Sequence, residues 1–242
     1  SLHDALPILY KTGKPIILVL LSGSALAINW ADEHIPAIVQ AWYPSAQGGK
    51  AIASLIFGEY SPSGKLPVTF YKSTQELPDF EDYAMKNRTY RYMENEALYP
   101  FGYGLSYSKF EYSNLRISKS EIEINETINL SVTVKNIGEY EGDETVELYL
   151  KDVDATVVIP KYQLKGIKKV CLKPSEEKEV SFELTSRQMA LINDEGKCIL
   201  EPGLFEVFVG GSQPDKRSKE LTGDCMQKST FNVKGESIVL EY

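Results

Sequence analysis

From residue 110 onward the chain alternates apolar and polar residues with a period of two, and it repeats this several times. Ile128, Leu130, Val132 and Val134 alternate with Asn129, Ser131, Thr133 and Lys135. The same rhythm returns at Val146, Leu148 and Leu150, at Val180, Phe182 and Leu184, and at Phe205, Val207 and Val209. Successive strand side chains point to opposite faces, so each run predicts a strand with one apolar face and one wet face. Turn residues separate the runs at Ile137-Gly138, Lys173-Pro174-Ser175 and Glu201-Pro202-Gly203. Weaker strands are expected over 163–172 and 230–233, an entry strand over 110–117, and one helical turn within 186–192. About seven short strands in roughly 120 residues predict two sheets packed face to face, an immunoglobulin-like sandwich. The Cys…Trp…Cys core of antibody domains is absent, which points to a fibronectin-type variant. The stretch after Gly211, rich in Lys, Ser, Asp and Gln, is expected to be mobile.

The first half follows a different pattern. Pro15-Ile-Ile-Leu-Val-Leu-Leu21 is apolar without alternation, as suits a strand buried on both faces of a parallel sheet. A second apolar piece over 37–43 fits helix or strand, and strand is favoured because Pro44 and the Gly48-Gly49 pair follow. Ile52, Leu55 and Ile56 fall at i, i+3 and i+4 before Gly58, predicting a short amphipathic helix over 48–58. These make about one and a half βα units, too few to close a sheet. Residues 71–96 form a long polar loop rich in Tyr, Arg and acidic side chains, which predicts a functional loop or an arm embracing a neighbour. Between the halves lies Leu98-Tyr-Pro-Phe-Gly-Tyr-Gly-Leu-Ser-Tyr107, which carries no charge at all. Its glycines permit tight turns and its rings offer apolar faces with polar tips, so a buried joint between two units is expected.

Bulk properties exclude several classes. A formal net charge of −8 argues against nucleic acid or an anionic membrane as partner. The three cysteines, Cys171, Cys198 and Cys225, show no CxxC spacing, so no metal site is expected and unpaired thiols are favoured over a disulfide. No cofactor motif stands out. Gly48-Gly49-Lys50 precedes a helix, but Ala51 stands where a phosphate loop needs Ser or Thr, and close helix packing is the preferred account. Asp32-Glu33-His34 is expected to be a solvated turn. The chain has two histidines and no GxSxG elbow, so a Ser-His-Asp triad is not expected. Asp79, Glu81 and Asp82 read as a hydrated acidic loop. Arg88, Tyr90 and Arg91 are the candidate substrate-binding residues, because guanidinium forks and phenols grip sugar hydroxyls or carboxylates. The same chemistry would pin an arm onto a neighbouring domain, and that structural role is preferred.

Several stretches together resemble the C-terminal part of glycoside hydrolase family 3, the β-glucosidase and β-xylosidase type. They are Gly13-Lys-Pro15, Ala41-Trp-Tyr-Pro44, Gly48-Gly-Lys-Ala-Ile-Ala53 and Pro62-Ser-Gly-Lys-Leu-Pro-Val-Thr-Phe70, followed by Arg88-Thr-Tyr-Arg-Tyr92 and the 98–107 segment. The second half adds Val134-Lys-Asn-Ile-Gly138, Gly142-Asp-Glu-Thr-Val-Glu-Leu-Tyr149, Leu164-Lys-Gly166 and Glu201-Pro-Gly203. The resemblance implies a partial α/β sandwich over 9–105 followed by a fibronectin type III-like β-sandwich over 106–242. Residues 1–8 are expected as a non-matching tail, and the chain as truncated at its front. The implied activity is that of a retaining exo-β-glycosidase, β-glucosidase before β-xylosidase, acting on β-glucosides or oligosaccharides through a barrel domain that these residues do not supply. No catalytic residue is carried over, and the chain alone is expected to be silent. The competing expectation is a non-catalytic carbohydrate- or partner-binding module, which would need a row of exposed aromatics on the sandwich, with Tyr149, Tyr162 and Phe208 as the available rings.

Overall fold

The computed structural model describes residues 2–223 and 226–241. The first unit begins with α1 (Leu2–Tyr10), β1 (Ile17–Leu20), α2 (Asn29–His34), β2 (Ala37–Gln40) and α3 (Gly48–Ile56). Strands β1 and β2 pair in parallel, Ile17 opposite Ala37 through Leu20 opposite Gln40. Leu18 and Leu20 point into a small core with Leu6, Ile28, Ala31, Ile35, Phe70 and Leu98, while Ile17 is exposed. Burial of the first strand on both faces is therefore met on one face only. The segment expected as a non-matching tail is helical and contributes Leu6 to this core. Gly48 packs so closely on Pro44 that a Cβ there would lie 2.4 Å from Pro44 Cβ, whereas Gly49 faces open space. Close packing thus accounts for one of the two glycines.

The arm over 71–96 carries a 3-10 turn at Thr74–Glu76 and one α-helical turn, α4 (Thr89–Tyr92). The second unit then adds β3 (Phe110–Ile117), β4 (Glu121–Glu123), β5 (Ile128–Asn136), β6 (Gly142–Asp152), β7 (Gln163–Leu172) and β8 (Glu177–Leu184). It closes with α5 (Ser186–Met189), β9 (Leu191–Ile192), β10 (Cys198–Leu200), β11 (Gly203–Gly210), α6 (Lys216–Thr222), β12 (Gln227–Lys234) and β13 (Ile238–Val239). A five-stranded sheet, ordered β4-β12-β11-β6-β7, faces a three-stranded sheet, β3-β5-β8, and β13-β10-β9 forms a small third sheet. The alternating apolar residues meet between the two larger sheets: Ile128, Leu130, Val132 and Val134 from β5, Val146, Leu148 and Leu150 from β6, Val180, Phe182 and Leu184 from β8, and Phe205, Val207 and Val209 from β11. Every strand expected from periodicity is present.

The stretch beyond Gly211 differs from expectation. Asp215 caps α6 by accepting from Ser218 N at 2.6 Å, and Ser212, Gln213 and Ser218 are buried. Among the described residues Cys171 is exposed and Cys198 buried, both free; Cys225 lies outside the described residues.

Candidate functional site

The two units meet along residues 98–107, and the local chemistry explains why. The extended piece Lys65–Phe70 zips onto this segment through backbone bonds: Leu98 N to Phe70 O at 2.8 Å, Phe70 N to Tyr99 O at 2.9 Å, Gly102 N to Leu66 O at 2.8 Å and Leu66 N to Tyr103 O at 2.9 Å. Its rings then find partners on both sides. Tyr99 and Tyr103 stack at 5.5 Å, and the Tyr99 hydroxyl donates to Asp32 Oδ1 at 2.6 Å. Arg217 of α6 completes this corner, with Nη2 3.7 Å from Asp32 Oδ2 and Nε donating to Leu98 O at 3.2 Å. Asp32 is therefore a structural anchor inside α2 and not part of a solvated turn. His34 is likewise absorbed, its ring stacked on Trp30 at 4.4 Å. Burial, then the bond to Asp32, holds the Tyr99 phenol well above its ordinary range, and burial raises that of Tyr103.

The sandwich side of the joint is the outer face of β6. Thr145, Glu147 and Tyr149 share that face, and all three are buried, Glu147 at 2% exposure and Tyr149 at 0%. The Tyr149 hydroxyl donates to Glu147 Oε2 at 2.7 Å. Gly102, with φ of 77°, lies directly on this pair: a Cβ there would be 2.3 Å from Glu147 Oε2 and 2.9 Å from the Tyr149 oxygen. Burial pushes the Glu147 carboxyl up to about 7, against the bond from Tyr149 and the field of Lys65. Glu144 lies at the neighbouring edge, accepting from the Tyr112 hydroxyl at 2.7 Å, with Lys65 Nζ 3.7 Å away. Burial raises its carboxyl too, against the Lys65 charge.

The candidate substrate-binding residues fall on the arm, and each finds partners within the described residues. Arg88 donates to the carbonyls of Ala84 at 2.9 Å, of Asp79 at 3.4 Å and of Asp82, so it staples its own loop. Tyr90 stacks on Phe101 at 4.2 Å, meets the Tyr149 ring edge-on at 6.3 Å, and accepts from Leu164 N at 3.2 Å. Arg91 is exposed, its Cζ lies 5.7 Å from the Tyr90 ring centroid, and its carbonyl accepts from Lys161 N at 2.7 Å. Lys161 Nζ also donates to Met93 O at 2.8 Å. These contacts pin the arm on the sandwich. Tyr149 and Phe208 are buried and Phe208 meets Tyr162 edge-on at 5.5 Å, so the three rings form no exposed row. Sequence reasoning overlooked Glu147, whose place between Val146 and Leu148 reads as a wet face. The signal was its neighbour two residues on: an outward tyrosine beside a charge-free aromatic segment in need of a landing site.

Two family models match the chain. Residues 3–107 match the model described as the glycosyl hydrolase family 3 C-terminal domain, and residues 144–213 match the fibronectin type III-like domain. The chain is 44% identical over 207 residues to a putative beta-xylosidase of Formosa agariphila, covering 84% of this chain and 27% of that protein. It is 39% identical over 222 residues to the periplasmic beta-glucosidase of Salmonella typhimurium, covering 87% of this chain and 29% of that protein. The solved structure of beta-glucosidase 3B from Thermotoga neapolitana superposes with a TM-score of 0.83 at 30% identity, over 96% of this chain and 33% of that one. Thus the chain spans between a quarter and a third of the length of these relatives.

Proposed function

Because the chain belongs to glycoside hydrolase family 3, of which it carries the C-terminal α/β domain and the fibronectin type III-like domain, we propose that it is the accessory portion of a retaining exo-β-glycosidase, β-glucosidase in preference to β-xylosidase. Retaining enzymes of this kind work with two carboxylates about 5 Å apart across the scissile bond, one as nucleophile and one as acid and then base. On this reading both lie outside the present residues. The observation that carries it is the fate of the best-placed acids here. Glu147 is sealed beneath Gly102, and Asp79 and Asp82 offer backbone carbonyls to Arg88 on an exposed loop. None of these faces a sugar-sized cleft with a partner carboxylate. Arg88, Tyr90 and Arg91 then act as braces of the arm, not as direct sugar ligands. The periplasmic beta-glucosidase of Salmonella typhimurium and the beta-glucosidase structure from Thermotoga neapolitana support the glucoside reading, and the putative beta-xylosidase of Formosa agariphila keeps the xyloside as the alternative.

The test is direct. Purified protein should release no nitrophenol from p-nitrophenyl β-glucoside or β-xyloside at any pH between about 5 and 8. Measurable turnover that survives a second purification would overturn the assignment of both carboxylates to other residues.

A further inference from the structure

Glu147 is a carboxyl group buried at 2% exposure in the interface between the two units, and its surroundings are poor in compensation. On its own strand it has the Tyr149 hydroxyl at 2.7 Å, and Glu144 three residues away adds a like charge. From the joint, Gly102 brings only backbone against Oε2. From the 65–70 piece, Lys65 reaches it through space, but that ammonium already donates to Gly104 O at 3.3 Å and lies 3.7 Å from Glu144. The residues opposite Glu147 on β11 and β7 are Gly210 and Ile167, which carry no charge. The arm contributes the Tyr90 ring, which packs on Tyr149, and Asp215 ahead of α6 adds a further acid whose field reaches Tyr149. The ring around Glu147 is thus one shared cation, three phenolic or apolar faces and two other carboxyls.

We propose that the joint between the α/β unit and the sandwich is proton-linked: it closes on the neutral carboxyl of Glu147 and loosens when that carboxyl ionises. The neutral form needs one donor and one acceptor partner and leaves Gly102 in place. The charged form has only the Tyr149 hydroxyl on Oε2 and the shared field of Lys65 to hold it, or must draw in water, and water can enter only if 98–107 lifts from β6. Lifting that segment also uncovers Phe101 and Tyr90, which hold the arm. The direction follows from linkage. An ordinary glutamate titrates near 4.5, whereas burial pushes this one to about 7. The closed joint therefore holds the proton more tightly than the open one. Closure is favoured in full below pH 4.5, weakens as pH rises, and levels off above about 7. Across that window the closing equilibrium should fall on the order of 100-fold.

Hydrogen exchange on the whole chain tests this, with rates corrected for the intrinsic pH dependence. The amides of Lys161 and Leu164, which bond from the sandwich to Arg91 O and to the Tyr90 hydroxyl of the arm, should lose protection on the order of 100-fold between pH 5 and pH 8. Amides of β5 in the sandwich core should keep theirs. Glu147→Gln removes the titration while keeping the shape, so joint protection should become flat with pH. Tyr149→Phe, the second variant in case the first folds poorly, removes the donor that favours the charged form and should move the midpoint to higher pH. Equal joint protection at pH 5 and pH 8 would overturn the proposal, as would an unchanged pH dependence in Glu147→Gln. Core amides opening in step with the joint would overturn it too, since the transition would then be global unfolding.

Discussion

Replacing Gly102 by alanine tests the joint most sharply, because the structure supplies its own control. Gly102 has φ of 77°, and an added Cβ would sit 2.3 Å from Glu147 Oε2, 3.0 Å from Glu147 Cδ and 2.9 Å from the Tyr149 oxygen. Neither partner has room to withdraw. Tyr149 has no exposed surface, its ring is met by Tyr90, and its hydroxyl holds Glu147. Two penalties add: about 1–2 kcal/mol for a left-handed alanine, and about 1–3 kcal/mol for overpacking a rigid site. Gly196 has the same φ of 77° but nothing within 4 Å of an added Cβ, so Gly196→Ala carries the backbone penalty alone. Urea unfolding should separate the two variants by about 1–3 kcal/mol. Both tryptophans, Trp30 and Trp42, pack on the α/β core, so their fluorescence reports that unit while circular dichroism follows the sandwich. The transition of the unit that carries each glycine, read by fluorescence for Gly102→Ala and by circular dichroism for Gly196→Ala, should move to lower urea by more in Gly102→Ala. Equal destabilisation in the two variants would refute the close approach of the joint to Glu147.

Asn136 is fully buried, donates to the carbonyls of Tyr140 at 2.8 Å and Leu172 at 2.9 Å, and accepts from Ser108 Oγ and Gly138 N. Asn136→Ala should therefore cost about 2–4 kcal/mol in urea unfolding, since it orphans several buried groups at once. Limited proteolysis of the intact chain should cut first near Leu77, Phe80, Tyr83 and Met85, all exposed on the arm, and leave the sandwich whole; first cuts within 110–212 would count against the division into units. Arg88→Ala should speed that first cut several-fold by freeing the carbonyls of Asp79, Asp82 and Ala84, yet shift global stability by no more than about 0.5 kcal/mol.

The pattern of alternation was enough to draw the sandwich. Period two assigns Val146, Leu148 and Leu150 to one face and Thr145, Glu147 and Tyr149 to the other, and a sheet must bury its apolar face against another sheet. It was enough also for the parallel pair and for the joint, because a charge-free segment of tyrosines and glycines has no good place but an interface. Asp32 and Arg217 were illegible: they are 185 positions apart, and an ion pair that distant leaves no local signature. Arg88 was ambiguous for a related reason. Its residue type allows sugar or backbone as partner, and only the curl of 79–84 beneath it decides for backbone. The outer face of β6 shows the division most clearly. Sequence alone determined which residues share that face, since this depends on strand geometry. Only the tertiary structure decided that the face is dry, because burial depends on what another part of the chain lays over it, and that cover turns Glu147 from an ordinary surface acid into a buried one.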